Sequence, residues 1–211
     1  MDEPAPLSGY GRSKLAAEAA VRVFAGRVHS VILRPPILYR PGDRVNLPPL
    51  LAMARLGLFV KPGLRRRPFS FIHVEDLCLA LEQALERGET VRPEELSRGV
   101  YFVADPDVHT WDGFCAALSL AIGCRRPARM LPLPEALAPA VGQVAEWIGR
   151  WTGEQPLLNR DKAREMVAEA WTCAPDRAIR ELGFRSRWVP LQAGLEDAVG
   201  WYRAEGLIPY A

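Results

Sequence analysis

Short apolar runs alternate with helix-length segments through residues 8–126, and this alternation constrains the fold more than any other feature of the sequence. Apolar residues recur at helical spacing in four segments, at 8–25, 46–56, 74–87 and 110–122. Three other segments predict strands, at 31–33, 69–73 and 99–104. The run Val31 to Leu33 has no polar break, which is typical of a parallel strand buried on both faces. Together these segments predict an α/β layered fold with a parallel sheet.

The first helix is expected to begin after Ser8, whose side chain can cap it, and to bury one stripe of apolar residues. The predicted stripe consists of Leu15, Ala16, Ala19, Val23 and Phe24. Residues 88–98 are predicted to form a flexible loop.

The character of the sequence changes after residue 126. A short strand is predicted at 127–133, and four helices follow it, at 135–151, 160–170, 176–182 and 191–204. We therefore expect two units, a sheet-containing domain over 1–126 and a smaller, mainly helical lobe over 127–211.

The composition fits a soluble globular protein and argues against several function classes. Of the 211 residues, 49% are hydrophobic and 25% are charged, and the formal net charge of +2 argues against nucleic acid as a partner. The alternative of nucleic-acid binding depends only on Arg65–Arg67, and three basic residues in a loop are typical of a solvated turn. The four cysteines include no C-x-x-C pair, so no metal site is expected and a cytoplasmic location is favoured. No apolar run is long enough to span a membrane.

Tyr10 and Lys14 are the candidate catalytic pair. Residues four apart share a helix face, so the phenol and the ammonium can reach one site. A tyrosine acts as a base near neutral pH only when a nearby cation stabilises its phenolate. The pair by itself is weak evidence, because many tyrosines have a lysine four residues later by composition alone.

The segments around the pair strengthen this interpretation. The sequence contains, in order, GYGRSKLAAE, VILRPPILYRPGD, FSFIHVEDLCLAL, LGF and LQAGLEDAVGWY. In order and spacing they resemble the extended short-chain dehydrogenase/reductase family, the NAD-dependent epimerases and dehydratases. The resemblance implies a partial Rossmann-type parallel sheet over 1–126, with a mainly helical substrate-binding lobe over 127–211. It also implies an NAD or NADP cofactor for the parent enzyme and a small-molecule substrate.

The resemblance assigns roles to named residues. Tyr10 would be the general acid/base for hydride transfer at a hydroxyl or ketone, and Lys14 would bind the nicotinamide ribose. The segment Arg34, Pro35, Pro36 and Ile37 would pass beside the nicotinamide.

The sequence departs from the family's pattern at the phosphate-binding loop. No G-x-x-G-x-x-G segment follows a strand, although this loop holds the pyrophosphate in the family. We therefore expect the chain to be the C-terminal portion of an enzyme that does not bind the cofactor by itself. We also expect a homo-oligomer that covers the faces left exposed.

A second departure concerns the substrate. Nucleotide-sugar enzymes of the family often carry Arg-Asp where this chain has Phe69 and Ser70. An aromatic ring cannot pair with a diphosphate, and Arg67 would need a different backbone path to do so. Arg40 stands where the family usually has glycine and would narrow or charge the mouth of the site. We therefore expect an apolar substrate, with a nucleotide sugar or a non-catalytic binding module as the alternatives.

Other residues are assigned to the lobe and the core. The candidate lining of an apolar cleft, or equally of the lobe's own core, consists of Leu131, Leu133, Leu137, Val141, Trp147 and Trp151. Of these, Trp147 is the predicted substrate-binding residue. Four residues are expected to be structural: a packed His73, Asp76 at a helix N-terminus, and core positions for Cys78 and Trp171.

Overall fold

The computed structural model of the chain describes residues 4–124, 128–137, 140, 143 and 168–208. Among these residues, α-helices cover Gly9–Val23 (α1), Leu47–Leu56 (α2), Val74–Arg87 (α3), Trp111–Ala121 (α4) and Leu191–Ala204 (α5). A 3₁₀ turn covers Glu135–Leu137, and a π-helical turn covers Ala178–Leu182. Most of the helices predicted at 135–151 and 160–170, including Trp147 and Trp151, lie outside the described residues.

Side chains cap three of these helices, and the sequence predicts the caps at Ser8 and Thr110 but not the one at His73. The Ser8 hydroxyl accepts the Gly11 amide at 3.0 Å at the start of α1. Thr110 accepts the Gly113 amide at 3.1 Å at the start of α4, and His73 accepts the Glu75 amide at 3.3 Å at the start of α3. Each acceptor satisfies one of the amides that a helix N-terminus leaves without a partner.

The strands are short and pair mostly in parallel. They are β1 (Ile32–Arg34), β2 (Ile37–Tyr39), β3 (Leu58–Pro62), β4 (Pro68–Phe69), β5 (Phe71–His73), β6 (Val100–Phe102), β7 (His109–Thr110) and β8 (Arg129–Leu133). The pairs β1–β6, β2–β5 and β3–β8 are parallel, and β4–β7 is antiparallel. Parallel strands between helices confirm the predicted α/β class.

The predicted strand 69–73 is interrupted at Ser70. The Ser70 amide donates to the Trp171 carbonyl at 2.9 Å, and the Ser70 hydroxyl accepts the Cys173 amide at 3.2 Å. Ser70 thus pairs with a segment about 100 residues away, and the predicted strand divides here into β4 and β5.

Two buried apolar clusters form the core. The larger lies between α2, α4 and α5 and includes Phe59, Phe71, Phe114 and Leu195. The smaller joins α3 to β6 and the π-helical turn, around Tyr101.

Several burial predictions are wrong. Strand β1 is half-buried, not enclosed on both faces. Of the predicted apolar stripe on α1, only Leu15 is half-buried, because α1 turns a different face to the body of the protein. Cys78 lies on the solvent side of α3, and Trp171 is 38% exposed.

Within the described ranges, no helix is both long enough and apolar enough to cross a membrane.

Candidate active site

Tyr10 lies in the first turn of α1 with its side chain open to solvent. It is 68% exposed, and the Lys14 ammonium lies 5.3 Å from the centre of its ring. The Ser8 cap and the Ser13 hydroxyl, which donates to the Tyr10 carbonyl at 2.8 Å, hold this turn of the helix in shape. The two predicted catalytic side chains are therefore neighbours on an accessible surface.

Two arginines attach α1 to the rest of the protein. Arg22 is buried and donates to the backbone carbonyls of Arg92, Glu95 and Leu96, at 3.1, 3.4 and 2.7 Å. The loop over 88–98, which the sequence predicts to be flexible, is therefore hydrogen-bonded to α1. Further toward the N-terminus, Glu18 accepts two hydrogen bonds from Arg34 of β1, at 2.8 and 2.6 Å.

The turn between β1 and β2 carries the other residues predicted beside the nicotinamide. Pro35 is exposed, Pro36 is half-buried and Ile37 is 40% exposed, so this turn offers an apolar surface. The Arg34 side chain points from β1 to Glu18, and its guanidinium carbon lies 5.5 Å from the centre of the Phe102 ring. A role of the Arg34 side chain in cofactor binding stays a prediction.

The predicted substrate-side residues lie on other elements. Arg40 is exposed just after β2. Phe69 is half-buried in β4, with its ring centroid 6.4 Å from that of Phe71 and 6.3 Å from that of Trp111. Arg67 is not a solvated loop residue, because it is 6% exposed and donates to Glu135 at 2.8 Å. Its substrate-binding role and those of Arg40 and Phe69 stay predictions, and Trp147 lies outside the described residues.

A polar cluster that includes His73, Asp76, Asp105 and Ser186 adjoins the core. Of these residues, the sequence analysis names only His73 and Asp76. The Asp76 carboxylate is fully buried and accepts the Ser186 hydroxyl at 2.5 Å and the amides of Arg187 and Trp188 at 2.9 and 3.2 Å. The same Ser186 hydroxyl lies 3.0 Å from Asp105. Asp76 is in the first turn of α3, as predicted, but its partners are on the segment that precedes α5.

Burial controls protonation in this cluster. It raises the pKa of Asp105 to about 7, with the Ser186 hydrogen bond opposing the shift and the charges of Asp76 and Asp107 adding to it. Burial lowers the pKa of His73, against the opposing effect of Asp197, whose carboxylate is 3.4 Å from Nε2. Because His73 Nδ1 accepts the Glu75 amide, Nε2 is assigned the proton and faces Asp197. Burial also raises the pKa of Tyr39, and the negative charges of nearby carboxylates raise it further.

Comparisons with known proteins agree with this architecture. Residues 1–99 match the NAD dependent epimerase/dehydratase family. A ceramide reductase from Caulobacter vibrioides is 31% identical over 203 residues, which are 96% of this chain and 60% of that protein. Human short-chain dehydrogenase/reductase family 42E member 1 is 28% identical over 93% of this chain and 52% of its own length. The chain thus spans between half and two thirds of the length of these relatives.

Solved structures share the fold. Gox2253 superposes with a TM-score of 0.69 at 21% identity, over 99% of this chain and 60% of that one. The human epimerase family protein SDR39U1, solved with NADPH, has a TM-score of 0.64 at 23% identity, over 90% of this chain and 55% of its own.

The parallel α/β fold places the chain among Rossmann-type proteins. The family match over residues 1–99 and these relatives support an extended short-chain dehydrogenase/reductase, of the NAD-dependent epimerases and dehydratases.

Proposed function

We propose that the chain carries the acid–base pair of an NAD(P)-dependent oxidoreductase or epimerase that acts on a hydroxyl or ketone. The observation that carries this proposal is the accessible Tyr10, with the Lys14 ammonium 5.3 Å from its ring centre. Tyr10 can take a proton from an alcohol and return it to a ketone oxygen, with the Lys14 ammonium beside its ring.

The residues present fit the nicotinamide end of the cofactor. Lys14 is exposed and can donate to the ribose hydroxyls, and Pro35 and Ile37 give an apolar surface on the turn between β1 and β2. The sequence of this chain contains no glycine-rich phosphate loop, so these residues would hold only that end. The bound nicotinamide would supply hydride transfer to or from the carbinol carbon. The chain's own contribution is to orient that carbon and to move the proton at the Tyr10 oxygen.

An apolar substrate is the second part of the proposal. Phe69 stands where nucleotide-sugar enzymes often have an arginine, and it packs with Phe71 and Trp111. Arg67 is the nearby cation, but its charge is paired with Glu135, and a diphosphate would have to displace that carboxylate. The names of two relatives, ceramide reductase and 3beta-hydroxysteroid-dehydrogenase/decarboxylase, are consistent with a lipid-like alcohol or ketone.

Substitution of Tyr10 tests the catalytic part. In the complete protein, Tyr10→Phe should lower kcat by about 100-fold or more while cofactor affinity stays unchanged, because only the proton-transferring oxygen is removed. Lys14→Met should weaken cofactor binding and lower kcat together. Arg12→Gln, an exposed change between the two, is the matched control and should have little effect. Near-normal turnover of Tyr10→Phe would contradict the acid–base role.

The substrate is tested by a cofactor-absorbance screen. Steroid, flavonoid and lipid-like alcohols and ketones are compared with a panel of UDP-, GDP- and dTDP-sugars. We expect turnover in the first group. Efficient conversion of a nucleotide sugar that is lost on Arg67→Ala would contradict the apolar substrate and would assign the diphosphate contact to Arg67.

A further inference from the structure

The face of α1 that contacts the body of the protein is polar at its C-terminal end. The residues of α1 that are shielded from solvent follow helical spacing, and they include Gly11, Leu15, Glu18 and Arg22. Arg22 is the buried residue of the helix, while Val21 and Val23 are exposed. Apolar packing does not fix direction, whereas charge-assisted hydrogen bonds do. The rotation of α1 about its own axis therefore depends strongly on the partners of Glu18 and Arg22.

The Glu18–Arg34 pair has the geometry needed to fix that rotation. Nε and Nη2 of Arg34 donate to the two different carboxylate oxygens of Glu18, at 2.8 and 2.6 Å. The two side chains are only 18–19% exposed, so the pair is partly screened from water. Arg34 is in turn supported from the sheet, because Phe102 is its register partner on β6 and lies beneath its guanidinium.

The pair lies on the same helix as the candidate catalytic residues. Tyr10, Lys14 and Glu18 follow one another at four-residue steps, so a rotation set at Glu18 is passed along a rigid helix to both side chains. With Cα atoms about 2.3 Å from the axis and a long side chain beyond them, a rotation of about 10° moves the phenolic oxygen by about 1 Å. A displacement of that size can cost about 100-fold in rate.

We propose that Glu18 and Arg34 are positioning residues that fix the rotation of α1 and thereby aim Tyr10 and Lys14 at the reacting centre. The inference rests on the proposed function. In this inference the Arg34 side chain holds α1 in place and does not contact the nicotinamide directly.

The test compares kcat and KM in the complete, active protein. Glu18→Gln keeps the shape of the side chain but removes its charge, and Arg34→Lys keeps the charge but removes the planar fork. Both should lower kcat by about 10- to 100-fold and leave KM within about threefold. The exchanged pair Glu18→Arg with Arg34→Glu should recover most of the lost kcat. The control is Glu181→Gln, which removes the carboxylate of the π-helical turn that pairs with Arg177.

A second measurement does not depend on turnover. Amide hydrogen exchange in this chain should become faster in residues 9–23 on Glu18→Gln, and should not change in α5. Glu181→Gln should leave exchange in α1 as it is.

The outcomes separate this inference from the proposed function. If Tyr10→Phe is inactive but Glu18→Gln and Arg34→Lys keep normal kcat, the positioning role is overturned and the proposed function stands. If Arg34→Lys instead raises the KM for the cofactor tenfold at unchanged kcat, the guanidinium contacts the cofactor and the inference is overturned. If Tyr10→Phe stays active, the proposed function fails and the positioning role fails with it.

Discussion

The buried carboxylates of Asp76 and Asp105 share a single hydroxyl, that of Ser186, which lies 2.5 Å from one and 3.0 Å from the other. One hydroxyl proton can be donated to only one carboxylate at a time. Asp76 also accepts two backbone amides, whereas the second oxygen of Asp105 is buried with no hydrogen-bond partner among the described residues. Hydrogen-bond counting therefore favours a protonated Asp105 that donates to Ser186, which in turn donates to Asp76.

This arrangement makes the stability of the protein depend on pH. The pKa of Asp105 is about 7 in the fold, against an ordinary value of about 3.9, so the folded state retains a proton that the unfolded chain has lost. The contribution of Asp105 to the free energy of unfolding is therefore complete below about pH 4 and is lost as the pH rises to about 7. The opposite holds for His73, whose lowered pKa removes stability as the pH falls below about 6.5.

Asp105→Asn should abolish the loss of stability that Asp105 causes as the pH rises, because asparagine resembles the protonated acid at every pH. The difference in free energy of unfolding between Asp105→Asn and the wild type should move in favour of the variant by about 1–3 kcal/mol from pH 5 to pH 8. Urea unfolding at both pH values measures it, and the comparison of two proteins cancels the effect of His73. Glu94→Gln, an exposed carboxylate, is the control. A pH-independent difference would mean that Asp105 is ionised throughout.

His73 combines a cap with a buried ring, and two substitutions can separate them. His73→Ala removes the acceptor for the Glu75 amide and the ring contact with Trp188 at 4.5 Å, so the free energy of unfolding should fall by about 3 kcal/mol. His73→Asn keeps an acceptor at the cap and should recover about 1 kcal/mol of that loss.

Thr110→Ala, which removes only a cap from α4, should cost about 1 kcal/mol. Thermal and urea unfolding measure all three proteins. Equal losses for His73→Ala and His73→Asn would contradict a capping role.

The sequence predicts the elements well because their signals are local. Helix α5 carries its own spacing of buried residues, and it is found at the predicted residues 191–204. Ser8 and Thr110 are caps that can be read from the few residues that follow them. The face of α1 could not be predicted in the same way, because which stripe is covered depends on β1 and on the loop at 88–98.

The buried cluster is a long-range arrangement and leaves almost no sequence signal. Asp76 and Ser186 are 110 residues apart, and neither position indicates its partner. The available hint is that Asp105 follows the apolar segment GVYFVA directly, where a carboxylate is unusual unless it is paired. Arg67 is a similar case, because the neighbouring arginines suggest a solvated turn, and its ion pair with Glu135, 68 residues away, leaves no sequence signal.

The C-terminal end of α1 offers a surface for self-association. Val23 is 78% exposed, and Phe24 and Val28 are 51% and 54% exposed, so three apolar side chains lie close together in water. We expect the chain to form an oligomer through this surface, and Phe24→Glu should shift it toward the monomer. Light scattering at tens of micromolar measures the mass.

Leu85→Glu is the matched control for this prediction. Leu85 is an apolar residue that is 87% exposed, and it lies on α3, not on α1. It should leave the mass unchanged. A wild-type chain that is monomeric at this concentration would contradict self-association, and equal effects of the two substitutions would mean that the surface on α1 has no special part in it.

Two glycines of α5 provide the last prediction, because the same substitution should have opposite signs at them. A Cβ atom at Gly194 would lie 2.3 Å from the Tyr39 hydroxyl oxygen, and Tyr39 is 2% exposed and cannot move aside freely. At Gly200, the described residues place no atom within 4 Å of the added Cβ, apart from its chain neighbours and the backbone of its own helix. Gly200→Ala should therefore raise the free energy of unfolding by up to about 1 kcal/mol, since alanine favours the helix. Gly194→Ala should lower it by about 1–3 kcal/mol through overpacking. Urea unfolding of the two variants compares them directly, and a stabilising Gly194→Ala would mean that Tyr39 and α5 are not in close contact.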